Sequence, residues 1–408
     1  MLTNKGWVNI EDLNLGDEVH TPFDGVQKVQ GIFPQGEVDL YKVSFQDGRE
    51  VECCGEHLWS VWRVGHGNVG NREVLSTTQI SDGISQGHRY MSPLPINLDY
   101  GTESELLIHP YLLGILLGDG CLRGKRTACF TTDDVFVADK VKSLGYDVSR
   151  WAGKDRTPTY GVKNIYQELE DLGVWGHTSH TKFIPEFYKD ASLSSRQDLI
   201  KGLMDSDGYV TKEGKLYYYT ISEKLAEDFT YLVRSVGAYA SISEKYTKYN
   251  GQRVKSYCVY FNHKDASDLV SLPRKLERVR PKNTGNGLRI ESITPVPKGH
   301  ATCISVTGSD QLFVTDNFVV THNTWSILID NLFGVHDPDY FSAFFRKTNT
   351  ELETNLWPEA KKMYWPLLFE DEEGKKPIGK SHISEDKKTI TFPSGAKSKF
   401  AYMAHQKD

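Results

Sequence analysis

Two copies of one nine-residue pattern each end in an aspartate followed by a glycine. Residues 112–120 read LLGILLGDG, and residues 200–208, which begin 88 positions later, read IKGLMDSDG. The two aspartates are Asp119 and Asp207. Two carboxylates held side by side can bind hard divalent cations such as Mg²⁺, which activate water and stabilise a leaving oxygen in phosphodiester hydrolysis. The repeated pattern therefore indicates metal-dependent hydrolysis.

The spacing within each copy favours two helices in close contact. Each copy has two small residues four positions apart, Gly114 with Gly118 and Gly202 with Ser206, which lie on one helix face and let a partner backbone approach. The glycine that ends each copy is typical of a left-handed helix stop, so we expect both aspartates at helix C-termini. Carboxylates there face the negative end of the helix dipole, at a cost of roughly 0.3–1 kcal/mol each. We therefore expect a positive group beside them, such as a divalent cation.

A single copy of this pattern would also fit a Leu/Gly-rich core helix that ends in an Asp-Gly turn. The duplication at regular spacing favours the paired metal site over that structural interpretation.

A second group of residues suited to chemistry lies at 318–324. An asparagine side-chain amide can attack its own backbone carbonyl, form a succinimide and break the peptide bond that follows. Asn323 has His322 beside it to assist proton transfer, and Thr324 offers a hydroxyl nucleophile directly after the break. The same tetrapeptide, Thr-His-Asn-Thr, would also fit a strand that ends in a polar turn, so its interpretation depends on context.

The elements that must position these residues change in type along the chain. Residues 1–62 alternate apolar and polar positions between glycine-containing turns, which predicts an all-β segment. From residue 103 the spacing becomes helical, with predicted strands between the helices. The clearest helix is predicted at 225–236, and two of the strands at 217–221 and 257–261. Short β segments are predicted to return at 290–293, 302–306, 312–314 and 318–321. This order predicts one β domain that is split by an α+β insert.

Composition and charge exclude several classes of protein. The longest apolar stretch, around 112–117, is far shorter than the roughly 20 residues that cross a bilayer. The first residues lack the apolar run of a secretory signal, and the six cysteines contain no C-x-x-C pair. We therefore expect an intracellular protein without a zinc ribbon or disulfide framework. The net charge is −6, but residues 251–290 contain nine basic and three acidic residues, as expected for phosphate contact.

The duplicated pattern resembles the two motifs of LAGLIDADG (DOD-type) homing endonucleases, and the resemblance extends over residues 103–285. It implies two pseudo-symmetric halves whose helices pair between saddle-shaped sheets in the major groove of double-stranded DNA. It also implies that Asp119 and Asp207 bind Mg²⁺. The first copy departs from the second in having Leu117 where the second has Asp205, but both keep the final aspartate.

The same family places a catalytic lysine in a Lys-x-Ile-Pro element before the second motif. Lys182 in the sequence Lys-Phe-Ile-Pro matches it, where it would polarise the water or the scissile phosphate. A solvated lysine before a turn is the alternative. The second lysine of the family follows the last sheet, and Lys275 is the nearest match by position.

Residues 318–324 resemble the C-terminal junction of inteins, and residues 2–19 resemble the first sequence block of the same Hint fold. Residues 54–57, CGEH, match a Thr-x-x-His block with Cys in place of Thr, which implies that His57 polarises the upstream scissile amide. Cys303 matches a block position that is more often Asp and would couple the steps, but a buried structural cysteine fits equally well. Inteins begin with a Cys or Ser nucleophile upstream of residue 2, so we expect cleavage at Asn323 without splicing.

Residues 324–332 resemble the helix after a phosphate-binding loop, with Thr324 as the last loop residue. Residues 345–348 and 390–396 resemble the ATPase domain of phage terminase large subunits, and a hairpin is predicted at 389–400. The Gly-Lys half of such a loop and a Walker B acid are not seen in the sequence, so we expect no ATP hydrolysis by this segment alone. An unrelated α/β enzyme is the alternative.

The sequence thus predicts a multi-domain chain in which an all-β Hint (hedgehog/intein) domain is split by an α+β LAGLIDADG endonuclease and followed by a partial α/β P-loop ATPase segment. The predicted boundaries are 1–100 and 288–323 for the Hint domain, 101–287 for the endonuclease and 324–408 for the host segment. We expect a monomer that acts on a long asymmetric DNA target in the cytoplasm of a phage-infected or prophage-bearing bacterial cell. The alternatives are a decayed intein remnant without activity and a DNA-packaging terminase ATPase with a DNA-binding insert.

Overall fold

A computed structural model describes residues 1–402 apart from 24, 66–67, 97, 102–104, 125, 152–156, 250–251, 281–286, 308–310, 323–327, 329–330, 333, 347–348, 350–351 and 372. The chain divides into two compact units. The first unit comprises Met1–Lys28, Glu37–Gly299 and Leu312–His322, and the second comprises Val29–Gly36, His300–Gln311 and Asn323–Asp408. In the described part of the chain, no helix is long and apolar enough to cross a membrane.

The helices and strands are numbered in chain order. The helices are α1 (Thr77–Ser85), α2 (Pro110–Leu117), α3 (Val135–Ser143), α4 (Tyr166–Asp171), α5 (Glu186–Lys189), α6 (Leu193–Ser206), α7 (Glu223–Ser235), α8 (Pro273–Leu276) and α9 (Trp357–Leu368). The strands are β1 (Leu2–Thr3), β2 (Gly6–Trp7), β3 (Glu18–His20), β4 (Val26–Phe45), β5 (Glu50–Cys54), β6 (Leu58–Gly65), β7 (Asn68–Ser76), β8 (Tyr90–Pro93), β9 (Gly120–Cys121), β10 (Ala128–Thr131), β11 (Val148–Trp151), β12 (Thr159–Val162), β13 (Gly208–Val210), β14 (Leu216–Thr220), β15 (Tyr239–Tyr249), β16 (Gln252–Asn262), β17 (Gly287–Val306), β18 (Leu312–Thr315), β19 (Val319–His322), β20 (Phe341–Arg346), β21 (His382–Ser384), β22 (Thr389–Thr391) and β23 (Lys397–Tyr402).

The largest sheet joins the beginning of the chain to residues that follow the insert. Its order is β18-β19-β6-β8-β17-β4-β3-β1-β2, with β5 on β4 and β7 on β6. The chain leaves this sheet after β8 and re-enters it in β17, where Pro93 and Gly287 are antiparallel partners. Strands from before and after the insert therefore lie in one sheet. The separate β segments predicted at 290–293 and 302–306 are wrong, because both belong to the single strand β17.

The insert is built from two similar halves. The first half has the sheet β11-β12-β10-β9 and the second has the sheet β13-β14-β16-β15. In each half the repeated pattern forms a helix, α2 or α6, which runs directly into the first strand of the sheet. The helix predicted at 225–236 is α7, whose first turn is capped by the Ser222 hydroxyl, and the predicted strands at 217–221 and 257–261 lie in β14 and β16.

One continuous apolar core fills the insert and includes both helices of the repeated pattern. Every residue of α2 is buried, and α6 buries Leu199, Ile200, Leu203 and Met204 in the same core. A separate core in the large sheet is formed around Val43, Trp59 and Val319 with their neighbours. The insert thus has its own core, which fixes the two motif helices against one another.

After residue 323, the described strands form the sheet β20-β23-β22-β21. β20 and β23 are parallel, whereas β22 and β23 form the hairpin predicted at 389–400. Gly395, with φ of +110°, provides the turn. The helix predicted at 325–332 falls largely outside the described residues.

Candidate active site

The two motif helices approach so closely that only glycine fits between them. A Cβ atom on Gly114 would lie 2.6 Å from the Leu199 carbonyl oxygen and 2.7 Å from the Leu203 nitrogen. A Cβ atom on Gly202 would overlap the Tyr111 carbonyl oxygen, and one on Gly118 would overlap the Ser206 side chain. The predicted contact through small residues is therefore what α2 and α6 make.

Asp119 and Asp207 follow the two helices directly and lie near one another at the end of the helix pair. A Cβ atom on Gly118, the residue before Asp119, would be 3.3 Å from Oδ2 of Asp207. The expected left-handed glycine stop is wrong, since neither Gly120 nor Gly208 has a positive φ. Both are glycine because a Cβ atom would overlap a carbonyl oxygen of the preceding helix turn. Each begins a strand, β9 or β13.

The two predicted lysines bind the last carbonyl groups of the two motif helices. Lys182 Nζ donates to the carbonyl oxygens of Leu116, Gly118 and Gly120 at 3.0, 2.8 and 2.8 Å. Lys275 Nζ donates to three carbonyl oxygens at the end of the second helix, those of Met204, Asp205 and Ser206, at 2.7, 3.0 and 3.2 Å. The positive charge expected beside the aspartates is thus supplied in part by the chain itself. A cation at a helix C-terminus is also favoured by the helix dipole.

A neighbouring helix fixes the chain segment that carries each lysine. The Lys182 segment is fixed by α7, because the Ser222 hydroxyl donates to the Lys182 carbonyl oxygen at 2.7 Å and Asp228 accepts from the Ile184 amide at 2.9 Å. The Lys275 segment is fixed by α6 through Asp205, whose Oδ1 accepts from the amides of Ser271 and Leu272 at 3.1 and 2.9 Å.

Burial perturbs all four ionisable groups of the site. Burial and the charge of Asp119 raise the pKa of Asp207 to about 7. Burial also raises the pKa of Asp119, although Lys275 and Lys182 oppose this shift. Burial lowers the pKa of Lys182 and of Lys275 to about 8, against the attraction of the nearby carboxylates. Opposite shifts in neighbouring acids and amines are typical of functional sites.

The donor set fits a hard cation that keeps most of its water. Among the described residues, no group of three or more His, Cys, Asp and Glu side chains is arranged to hold a metal ion. Mg²⁺ is commonly bound by one or two carboxylates, with water and substrate phosphates completing its coordination. Asp119 and Asp207 offer two such carboxylates. Their raised pKa values show that the nearby lysines do not fully balance their negative charge, so a divalent cation would stabilise the ionised forms.

Sequence reasoning missed two residues of this region. Asp205 is buried and accepts a hydrogen bond from the Tyr111 hydroxyl at 2.9 Å, so it links both motif helices to the Lys275 segment. The sequence offered one signal for this residue, because the first copy of the repeated pattern has the apolar Leu117 at the equivalent position. Tyr218 is fully buried, and its hydroxyl has no partner among the described residues. The charges of Asp207 and Asp119 contribute to raising the Tyr218 pKa, after burial, and no sequence signal marks this residue.

The predicted splicing residues lie partly within the described structure. His322 ends β19 and is the antiparallel partner of Leu58, the residue after His57. Burial, followed by the charge of His322, lowers the pKa of His57 to about 4. His57 is therefore neutral at pH 7, and its buried Nε2 has no partner among the described residues. Cys303 lies half-buried in β17 of the second unit, while Asn323 and Thr324 lie outside the described residues.

One protein-family model matches a part of the chain that includes most of α6 and Asp207. Residues 196–272 match the family model described as a LAGLIDADG-like domain. Over 353 residues the chain is 25% identical to the replicative DNA helicase DnaB of Mycobacterium intracellulare, covering 79% of this chain and 57% of the helicase. The chain thus spans less than two thirds of that curated relative.

Two solved structures are also similar to parts of the chain. A variant of the homing endonuclease I-DmoI covers 42% of the chain and is itself covered to 97%, with 17% identity and a TM-score of 0.30. The gp41-1 intein covers 18% of the chain and is covered to 73%, with 23% identity and a TM-score of 0.14. The match to the LAGLIDADG-like model includes most of α6 together with Asp205 and Asp207.

Proposed function

We propose that the insert, residues 101–287, is a site-specific endonuclease that cuts double-stranded DNA with Mg²⁺, and that the surrounding β domain is a protein-splicing element. One observation carries the nuclease proposal. Two carboxylates lie at the ends of helices that touch through glycine, and each helix end is bound by a buried lysine. The LAGLIDADG-like match over the second half supports the same reading.

The residues of the site have distinct roles in this proposal. Asp119 and Asp207 would hold Mg²⁺, which supplies an activated water and stabilises the leaving oxygen when bound. Asp207 binds best when ionised, so its raised pKa makes metal binding weaken as the pH falls below about 7. Lys182 and Lys275 orient the carbonyl ends of the helices and place positive charge where a phosphodiester would gain negative charge.

The sheet of the second half has the side chains that a nucleic acid would need. Exposed aromatic residues lie on its strands, among them Tyr209, Tyr219 and Tyr246. Arg253 stacks over the Tyr246 ring at 4.7 Å, and Lys245 lies 5.5 Å from the centre of the Tyr219 ring. Cations carried on aromatic residues suit contacts with phosphates and bases. We propose a long asymmetric DNA target bound by a monomer, because the two halves of the insert differ in sequence.

Cleavage of a DNA that carries the uninterrupted host gene tests the nuclease. With Mg²⁺ the protein should cut this DNA across the insertion point, and Asp119→Asn or Asp207→Asn should reduce the rate by at least about 100-fold because each removes a metal ligand. Asp139→Asn, at an exposed residue paired with Lys142, is the matched control and should cut normally. Unchanged cutting in both site variants would refute the metal assignment.

The splicing proposal is supported by the pairing of His322 with the segment of His57. A neutral His57 can polarise an upstream amide, while His322 assists the attack of Asn323 on its own carbonyl. Thr324 would act as the nucleophile after the break, and Cys303 would couple the steps. These assignments follow the intein resemblance of residues 2–19, 54–57 and 318–324.

The mass of the protein after incubation at neutral pH tests this second activity. We expect a break between Asn323 and Thr324, with succinimide or asparagine at the new end. Asn323→Ala should abolish the break because alanine has no amide to attack the carbonyl. Continued release of the segment in that variant would remove Asn323 from the mechanism. An intact unchanged chain would favour the decayed remnant as the correct alternative.

A terminase host is proposed because residues 345–348 and 390–396 resemble terminase large subunits. The DnaB relative from Mycobacterium intracellulare is a replicative DNA helicase and points to a different host. Residues 1–323 make up 79% of the 408 residues, so an insertion shared with the helicase would account for the covered share without residues 324–408. We therefore retain a terminase host in a phage-infected or prophage-bearing bacterial cytoplasm, with a packaging ATPase that carries a DNA-binding insert as its alternative. Sequencing of the host gene on both sides of the insertion decides the host.

A further inference from the structure

A cluster of aromatic residues joins the insert to the strand that leads to His322. Phe318 is fully buried immediately before β19. Its ring lies 5.3 Å from the ring of Trp7 in β2 and 5.0 Å from the ring of Tyr231 in α7. Tyr100 completes the contact at 6.0 Å. These four residues, the Phe318 cluster, bring together both sequence segments of the β domain and one helix of the insert.

Directed hydrogen bonds fix the geometry of the Phe318 cluster. Trp7 Nε1 donates to the Tyr231 hydroxyl oxygen at 2.8 Å. Arg49 is fully buried and donates from Nη1 to the Phe318 carbonyl oxygen at 3.1 Å and from Nη2 to the Ala238 carbonyl oxygen at 2.9 Å. Its Nε binds Asp47 at 3.0 Å. The guanidinium group of Arg49 therefore joins the backbone of Phe318 to the segment that follows α7. The indole of Trp7 is bonded to Tyr231 within α7.

The backbone at this point needs such support. Asn317 and Phe318 have φ values of +56° and +58°, which place two consecutive non-glycine residues in the left-handed region. This conformation is strained for residues with a Cβ atom and persists only where surrounding contacts impose it. The turn directs the chain into β19, and His322 lies four residues further on, at the end of that strand. A displaced turn would displace the imidazole of His322.

We propose that Tyr231 is a positioning residue for the peptide-bond cleavage after Asn323, and that it acts through Trp7 and Phe318. The inserted domain thereby supports the splicing centre that it interrupts. This inference rests on the proposed splicing function. α6, the helix that precedes Asp207, also reaches the cluster, since Arg196 lies 4.2 Å from the centre of the Tyr100 ring.

Removal of the Tyr231 hydroxyl tests the inference while the ring and its packing stay in place. Tyr231→Phe deletes the acceptor of the Trp7 Nε1 hydrogen bond, and we expect it to slow cleavage at Asn323–Thr324 about fivefold. Trp7→Phe deletes the donor and part of the ring that packs on Phe318, and we expect it to slow cleavage at least as much. In the Trp7→Phe background, Tyr231→Phe should slow cleavage by less than about fivefold, because the hydrogen bond between the two residues is already lost. Tyr166→Phe, which deletes the exposed hydrogen bond to Glu170, should cleave at the unchanged rate. DNA cleavage by Tyr231→Phe should stay at the level of the unchanged chain.

Hydrogen exchange provides a second readout that does not depend on cleavage. It is measured in the Asn323→Ala background, which keeps the chain intact. Tyr231→Phe should speed exchange at least threefold in peptides that cover 318–322, with unchanged exchange in the large sheet elsewhere. Equal cleavage rates, or unchanged exchange at 318–322, would overturn the inference. If the unchanged chain does not cleave at all, the splicing proposal fails, and the exchange result alone decides whether Tyr231 positions the strand.

Discussion

At the residue scale, the site depends on how two buried lysines are used. The amine of each lysine donates three hydrogen bonds to backbone carbonyl oxygens, so the lysines stabilise the helix ends and act on the aspartates only through their charge. Without a cation, the carboxylate of Asp207 is therefore in an environment that disfavours its charge. The arrangement favours binding of a cation and lowers the stability of the metal-free protein.

Asp207→Asn should stabilise the metal-free protein in a pH-dependent way. The pKa of Asp207 is raised from 3.8 to about 7 by folding, so ionising this acid destabilises the folded state progressively from about pH 4 to pH 7. The asparagine variant escapes this effect. Its free energy of unfolding in EDTA should exceed that of the unchanged protein by about 3 kcal/mol more at pH 8 than at pH 4.5. Urea unfolding at both pH values measures this.

Asp139→Asn is the control for this titration and should show the same small change at both pH values. An equal effect of Asp207→Asn at pH 4.5 and pH 8 would contradict the raised pKa. Loss of DNA cleavage together with a gain in stability would separate the function of this residue from its role in the fold.

The reactive side chains were easier to predict than their supports. Asp119, Asp207, Lys182 and Lys275 stand in short patterns, and the structure brings all four to one end of the helix pair. The supports are single residues that gain meaning only through distant partners. Tyr218 is an example, since nothing around it in the sequence shows that its hydroxyl lies near two carboxylates.

At the scale of elements, the contact between α2 and α6 determines the separation of the carboxylates. Helices that cross through glycine come nearer than helices that carry larger side chains at the contact. The distance between Asp119 and Asp207 therefore follows from the residues at the contact and not from the aspartates themselves.

Gly202→Ala should push the two helices apart. Its Cβ atom would overlap the Tyr111 carbonyl oxygen, which is backbone and cannot rotate away. We expect a loss of about 3 kcal/mol in the free energy of unfolding and a loss of DNA cleavage. Gly65→Ala is the control, because a Cβ atom there meets nothing within 4 Å and φ is not positive. Normal stability and normal cutting by Gly202→Ala would show that the helices do not need this contact.

The bounds of helices and strands were predicted correctly where the apolar spacing was regular. They were wrong where strand pairing outweighed the local sequence preference. The amphipathic spacing of α7 predicted that helix to within two residues. β17 was predicted as two pieces because Pro295, Pro297 and Gly299 interrupt its alternation. Proline and glycine are typical of turns, yet this strand continues through them beside the 20-residue strand β4, with which it pairs.

At the scale of the whole molecule, the chain leaves the large sheet after Pro93 and re-enters it at Gly287. These two residues are antiparallel partners on adjacent strands, so the chain can be closed there by a two-residue turn. The apolar core around Trp59 is formed largely by residues outside the insert.

Replacement of residues 94–286 by Asn-Gly should leave the large sheet folded but impair cleavage at Asn323. The deletion removes Tyr231 from Trp7 and the Ala238 carbonyl from Arg49. We expect cleavage to be at least about tenfold slower than in the full chain, with DNA cleavage lost. Circular dichroism and the time course of fragment masses measure the two effects. Cleavage at the full rate would show that the insert is dispensable for the break after Asn323.

Arg49 also affects how such a gene can change over generations. Point mutations at Asp119 or Asp207 would remove the proposed metal ligands without disturbing this buried guanidinium. A clean excision of the insert instead deprives Arg49 Nη2 of its acceptor and must be followed by a second mutation to restore stability. Decay by substitution therefore requires fewer steps than decay by deletion. A lineage that loses the nuclease is expected to keep a silent insert in place long before it becomes a shorter one.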